Sequence, residues 1–274
     1  MSLRPDCFEW IRQLLESEAG HALPPDKQYL VESRLEPLAS RLEMASIDRL
    51  IDQARVASSP EWNRQIVESM LIHESMFFRD DRCFETVAAF IRNSFLDQQK
   101  SMGHPLLWSA ACAGGQEPFS LAMLVHEILG ADTGNSGYHV VATDLSQNII
   151  AQARTGEFSE LDIRRGLNEE RQKKFLRSHG NRWKVDSGIA SHIEFRQHNL
   201  AESPPPVAMC DVVLMRNVVI YMTDAARDRA FRCVHSALKP NGILLMGSTE
   251  AMFPPDRLFQ RREDYPMPCF CPIT

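Results

Sequence analysis

Two stretches of the chain carry residue types that could hold a nucleoside. Trp108-Ser109-Ala110-Ala111-Cys112-Ala113-Gly114-Gly115-Gln116-Glu117-Pro118 reads as a strand running into a turn of tiny side chains and then a helix. Tiny side chains let a ligand approach the backbone at the carboxyl end of a strand, where open α/β sheets bind cofactors. Val141-Ala142-Thr143-Asp144 ends the next apolar strand in a carboxylate, placed to accept two hydrogen bonds from a ribose diol. Asp144 could instead cap the helix that follows, a task Ser146 could equally serve, and the glycine pair could be a plain strand-to-helix turn. The turn is not G-x-G-x-x-G, and no Lys-Ser/Thr follows as in a P-loop. An adenosine ligand held without phosphate-binding machinery points to S-adenosylmethionine rather than a dinucleotide.

The elements that must position these residues fall into two textures. Helical periodicity dominates the first hundred residues: Phe8, Ile11, Leu14 and Leu15 recur at helical spacing, and Tyr29, Leu30, Leu35, Leu38 and Leu42 do so again after Pro24-Pro25-Asp26. Two more helices are expected over Ser46–Val56 and Glu61–Ile72, and a longer one over Asp80–Leu96 that carries the domain boundary. After Pro105, short apolar runs (Leu106–Ala111, Tyr138–Ala142, Asp211–Met215, Ile243–Met246) alternate with helical stretches (Glu117–Leu129, Gln147–Thr155, Ala225–Leu238). That alternation predicts a doubly wound α/β sheet. Behind a helix over Glu169–Leu176, Trp183–Val185 and His192–Phe195 suggest an inserted hairpin.

Composition narrows the function classes. The 274 residues are 44% hydrophobic and 24% charged, an ordinary globular composition. A net charge of -6 argues against a phosphate-backbone binder, whose affinity rests on clustered Lys and Arg. No apolar run approaches the roughly eighteen residues of a membrane span. Seven scattered cysteines without a C-x-x-C pair fit buried, reduced thiols better than a zinc site or disulfide framework, so a cytoplasmic chain is expected.

Several motifs then stand in an order that resembles a known family. His73-Glu74-Ser75-Met76-Phe77-Phe78-Arg79-Asp80, Trp108 through Met123, Ala142-Thr143-Asp144-Leu145-Ser146, Ala153-Arg154-Thr155-Gly156 and Arg216-Asn217-Val218-Val219-Ile220-Tyr221 follow the spacing of the CheR-type methyltransferases. The resemblance runs from the Lys27–Arg41 helix to a terminal strand around Pro266–Phe270. It implies a Rossmann-like S-adenosylmethionine-dependent methyltransferase sheet over 93–274, with a small all-α N-terminal domain over 1–92 and a short β hairpin-type insertion near 178–196. Carried over residue by residue, it implies cofactor contacts from His73, Ser75, Arg79, Ala113, Gly114, Glu117, Asp144, Asn199, Leu200, Asn217 and Val218. Arg79 would pair with the methionine carboxylate, Glu117 with the ammonium end, and Asn199 and Leu200 would flank the adenine. Read from the residues alone, Asn199 could be a loop residue ahead of the proline turn, and Phe77 and Phe78 core packing. The family usually has Asn at the place of His73, often Thr at that of Ser75, and commonly Ser-Thr-Gly-Glu where this turn reads Ala113-Gly114-Gly115-Gln116.

The implied reaction is esterification of glutamate carboxylates on the cytoplasmic helical domain of chemoreceptors, with S-adenosylhomocysteine as product. Arg79 and Tyr221 would orient the incoming carboxylate, unless Tyr221 is a packed aromatic. Lys27, Arg34 and Arg41, seven residues apart, would form one basic helix stripe, either facing acidic receptor helices or solvated beside Glu32, Glu36 and Glu43. Pro37 predicts a kink or break there. Ser178-His179-Gly180-Asn181-Arg182-Trp183 is short and lacks Gly-x-Gly-Pro, which implies an enzyme independent of a receptor C-terminal pentapeptide. A monomer that binds neither nucleic acid nor membrane is expected. The alternative is a catalytically weak regulator that binds S-adenosylmethionine or S-adenosylhomocysteine and acts through protein contacts.

Overall fold

The computed structural model describes residues 3–96, 103–130, 137–202 and 204–273. It divides into two compact units: the chain up to Ile72 with Tyr221–Arg227, and His73–Ile220 with the chain from Asp228 onward.

The first unit is helical: α1 (Pro5–Ala19), α2 (Gln28–Arg41), α3 (Ile47–Ala57) and α4 (Pro60–Met70). Local chemistry sets the ends. Pro5 and Pro60 occupy first turns, where no N–H is required. Ser46 Oγ accepts the Arg49 N–H at 3.2 Å, and α1 stops at Gly20 with φ 65°. Ile11, Val31, Leu35, Leu50, Ile51 and Ile66 are fully buried and form the core. The second helix is continuous through Pro37. Its basic stripe loses its middle member, because Arg34 donates to the Met70 carbonyl at 2.5 Å, where a cation is favoured at the end of α4. Tyr221–Arg227 is bound here by main-chain pairing: Ala22 N–H to Tyr221 O at 2.8 Å and Thr223 N–H to Gly20 O at 2.9 Å.

The second unit begins with α5 (Asp81–Ile91) and a π-type turn over Arg92–Leu96, then alternates as β1 (Leu106–Ala110), α6 (Gln116–Leu129), β2 (His139–Asp144), α7 (Gln147–Thr155) and β3 (Glu157–Phe158). It continues through α8 (Glu160–Arg164), α9 (Glu169–Phe175), β4 (Leu176–His179), β5 (Arg182–Val185), α10 (Ser187–Ala190), β6 (Ile193–Gln197) and β7 (Cys210–Met215). After α11 (Asp224–Ala237), which starts in the helical unit, come β8 (Leu238–Met246), β9 (Phe259–Arg262) and β10 (Cys269–Pro272). Seven strands form one sheet in the order β6-β2-β1-β7-β8-β10-β9. The first five are mutually parallel, and β10 runs antiparallel to both β8 and β9. This is the Rossmann-like α/β sheet that the alternating pattern predicts. Among the described residues no helix is long and apolar enough to cross a membrane.

Two expectations shift. The compact-unit division after Ile72 lies ahead of the expected position 92, because Cys83, Phe84, Val87 and Ile91 of α5 are buried in the same core as Leu107, Val140, Val212 and Leu245 of the sheet. The hairpin expected from Trp183–Val185 and His192–Phe195 is corrected as well. The first segment pairs with β3 and β4 in a separate three-stranded sheet, whereas the second is the edge strand β6, parallel to β2 from Val140↔Ile193 to Asp144↔Gln197. Short runs of similar hydrophobicity say nothing about their partner, which long-range register decides.

Candidate cofactor site

Strand order reverses between β1 and β7: the chain moves outward from β1 through β2 to β6, then returns to place β7 on the other side of β1. The carboxyl ends are level, with Ala110 opposite Thr143 and Met215, and Met215 opposite Met246. The four segments that leave these strands therefore emerge side by side at the switch point, where sheets of this class open a crevice.

Backbone strain collects there. Ala111, Ala113 and Asn217 adopt φ of 59°, 48° and 58°, and Phe78 and Asp80 in the adjoining segment 48° and 71°. Non-glycine residues in this region cost free energy and persist where surroundings over-determine them. Asp144 supplies part of that determination. Only 7% exposed, it accepts the Ala113 N–H on Oδ2 and the Ser146 N–H on Oδ1, both at 3.0 Å. The helix cap falls to Ser146, whose Oγ accepts the Ile149 N–H at 3.2 Å. Burial raises the Asp144 carboxyl above the ordinary range, against the pull of the Ser146 N–H and the His73 ring. The two signals of the sequence, small-residue turn and strand-tip carboxylate, are thus one hydrogen-bonded unit.

A second cluster sits at the mouth of β1 and β7. Glu117 accepts the Ser109 hydroxyl at 2.7 Å and Arg216 Nη1 at 3.1 Å. Arg216, its side chain 3% exposed, also donates to the Arg79 carbonyl at 2.7 Å and lies 3.7 Å from Asp80. Arg216 thereby fixes the main chain of Arg79 and balances Glu117. The Phe78 N–H donates to Ser120 Oγ at 2.9 Å, which ties the His73–Asp80 segment to α6. Phe77 and Phe78 are buried, in line with core packing.

Other expected site residues divide. His73, Ser75 and Gly114 line a cleft of about 260 Å³ together with Gln116, Asp162 and Arg165. His73 Nε2 and Gln116 Oε1 are buried there without a hydrogen-bond partner. Asn199 accepts the Ala201 N–H and donates to Glu202, the local pattern of a loop residue, and Leu200 is buried. Asn217 and Val218 open the turn after β7. Tyr221 lies in the returning segment of the helical unit, where its ring is 6.2 Å from that of His21. The sequence reading missed Arg216, and also Glu250, a fully buried carboxylate that accepts the Asn217 and Val218 N–H groups. The signals were an arginine ending an otherwise apolar strand and a carboxylate just beyond Gly247-Ser248-Thr249. All seven cysteines are free; six are buried, and burial pushes Cys83, Cys210 and Cys269 up to about 12.

Comparison with known proteins follows the same division. Residues 73–265 match the CheR methyltransferase, SAM binding domain, and residues 6–68 the CheR methyltransferase, all-alpha domain. The chain is 36% identical to chemotaxis protein methyltransferase Cher2 of Pseudomonas putida over 89% of its own length and 90% of that protein. It is 36% identical to chemotaxis protein methyltransferase 1 of Pseudomonas aeruginosa, with the same coverage. A chemotaxis protein methyltransferase of Vibrio parahaemolyticus is 32% identical over 88% of this chain and 87% of that protein. Helical and sheet parts match in order and nearly in full, so the chain belongs to the CheR family of S-adenosylmethionine-dependent chemotaxis methyltransferases.

Proposed function

We propose that this methyltransferase forms methyl esters on glutamate side chains of the cytoplasmic helical domain of chemoreceptors. The observation that carries the cofactor part of the reading is the joining of Asp144 to the small-residue turn through the Ala113 N–H, which makes one hydrogen-bonded unit of two separate strand ends. The residues fit the cofactor: beside Asp144 the turn presents backbone rather than side chains, and in the cleft that starts at Gly114, which Asp144 and Glu117 do not line, His73 Nε2 and Gln116 Oε1 are polar atoms without partners. In this reading Asp144 holds the ribose and Glu117 the ammonium end. Arg79 holds the methionine carboxylate, Asn199 and Leu200 flank the adenine, and Ser75, Ala113, Gly114, Asn217 and Val218 complete the lining.

When bound, S-adenosylmethionine supplies a methyl group on a cationic sulfur. A glutamate with an ordinary pKa near 4.3 is already ionised at neutral pH, so the protein has no proton to remove from its nucleophile. Asp144, Glu117 and Arg79 would hold the cofactor so that it supplies the methyl group to a carboxylate oxygen and keeps the electron pair of its carbon–sulfur bond, leaving as S-adenosylhomocysteine. The chain's part is alignment, worth about 7–11 kcal/mol when reacting atoms are held in line. We assign Arg79 and Tyr221 to the incoming carboxylate, as cation and hydrogen-bond donor. The tight Gly180–Asn181 turn between β4 and β5 supports recognition of the receptor helix itself, without a C-terminal pentapeptide; we further propose that the protein acts as a monomer in the cytoplasm.

Incubation with methyl-labelled S-adenosylmethionine and receptor cytoplasmic fragments tests this. The expected result is label on the fragments that alkali releases as volatile methanol and that Glu→Gln receptor variants do not take up. Alkali-stable label would mean another acceptor atom. Absence of label with S-adenosylhomocysteine binding intact would favour the regulator.

A further inference from the structure

We propose that Glu250, in the loop after β8, is a positioning residue for the turn Arg216–Tyr221, and that residue 247 must be glycine to let that carboxylate in. The inference rests on the reading that Asn217 and Val218 face the cofactor.

Glu250 is 0% exposed. Its Oε1 accepts the N–H groups of Val218 at 2.8 Å and Ile220 at 3.3 Å; its Oε2 accepts those of Asn217 at 2.5 Å and Gly247 at 3.2 Å. Four main-chain donors from the ends of two adjacent strands thus converge on one carboxylate, the side chain that offers only acceptors. The turn needs such support. Parallel pairing of β7 with β8 ends at Met215↔Met246, so the N–H groups beyond it have no ladder partner, and Asn217 is held at φ 58°. An unpaired buried N–H is costly, whereas hydrogen bonds to a charged acceptor are the strong ones. A β-carbon on residue 247 would lie 2.7 Å from Glu250 Oε2 and 3.3 Å from Asn217 Nδ2, so a side chain there would push the carboxylate out of its seat. The placement of Asn217 and Val218 is therefore fixed by a residue far along the chain rather than by the turn itself.

The test is calorimetric titration of the full chain with S-adenosylhomocysteine, together with thermal unfolding, for Glu250→Gln, Gly247→Ala, Asp211→Asn and Asn217→Ala. Glutamine keeps the shape but turns an amide N–H toward two of the donors. Glu250→Gln and Gly247→Ala are each expected to weaken binding at least tenfold, about 1.4 kcal/mol. Asp211→Asn, which alters a carboxylate only 1% exposed at the opposite end of β7, should lower the melting temperature while folded protein keeps its affinity. A purely structural Glu250 would reduce the number of competent molecules and leave their dissociation constant unchanged. Gly247→Ala retains the charge and decides the matter if Glu250→Gln does not fold. Unchanged affinity in both, or in Gly247→Ala when it alone folds, overturns the proposal. Weaker binding in Asn217→Ala alone would do the same while leaving the cofactor reading intact. Weaker binding in Glu250→Gln and Gly247→Ala but not in Asn217→Ala would support positioning through Val218.

Discussion

The two ends of β7 hold carboxylates in different company, buried except for the half-buried Glu117. At the amino end Asp211 accepts Lys239 Nζ at 2.7 Å and the Leu106 N–H at 2.9 Å, a pairing of one flexible cation with one strand end. At the carboxyl end Glu117, Asp144 and Glu250 accept chiefly from main chain, hydroxyl and the buried Arg216, beside left-handed alanines and polar atoms without partners. The amino end also has its loose atom, the buried Tyr138 hydroxyl. Each end has a left-handed non-glycine residue, Met209 (φ 61°) just ahead of β7 and Asn217 (φ 58°) beyond it, so what separates the ends is convergence. One carboxylate ties two strands, while the others hold the turns that the proposed cofactor site uses. Stability alone would favour the first arrangement, so the second points to binding.

The largest effect that could break this comparison is on Arg216. Arg216→Met strands the Glu117 carboxylate and should cost about 3–5 kcal/mol in denaturant unfolding, and Glu117→Gln added to it should recover most of the loss. No recovery would mean that Arg216 acts through packing rather than charge. Next come the proposed cofactor contacts. Asp144→Ala and Arg79→Ala are each expected to weaken S-adenosylhomocysteine binding by about 2–3 kcal/mol, on the scale of lost charged hydrogen bonds. Tyr221→Phe should instead lower turnover more than binding; equal binding losses across all three would erase the division of roles.

A pH experiment sharpens the same contrast. Burial raises the Asp144 carboxyl, so the folded state holds this proton more tightly than the unfolded chain. Stability from this group is present below its unfolded value near 3.9 and is lost as pH rises through the folded value. The stability of Asp144→Asn relative to the parent should therefore increase from acid to neutral pH; a flat difference would show that its backbone hydrogen bonds cancel the effect of burial, and a decrease that they outweigh it. The smallest effect belongs to the amino end. Asp211→Asn is expected to cost about 1–2 kcal/mol of stability, with cofactor affinity within twofold of the parent; a larger binding change would mean that the ends are coupled through β7.

The sequence by itself determined the helices with strong apolar periodicity and the alternation that makes the parallel sheet, and it singled out the small-residue turn and Asp144 as candidates for a nucleoside site. These follow from local rules: a period near 3.6 or 2, small residues where backbone must be approached, a carboxylate at a strand tip. It also carried the family resemblance, since ordered motifs are themselves sequence. Tertiary structure alone decided that α5 packs with the sheet, that His192–Phe195 belongs to an edge strand, and that Arg34 caps α4 rather than completing a basic stripe. It alone brought Glu250 to the turn after β7 and Arg216 to Glu117. The reason is physical. A buried charge is tolerated only where partners from distant parts of the chain converge on it, and that convergence is set by strand order and register, which no local pattern encodes.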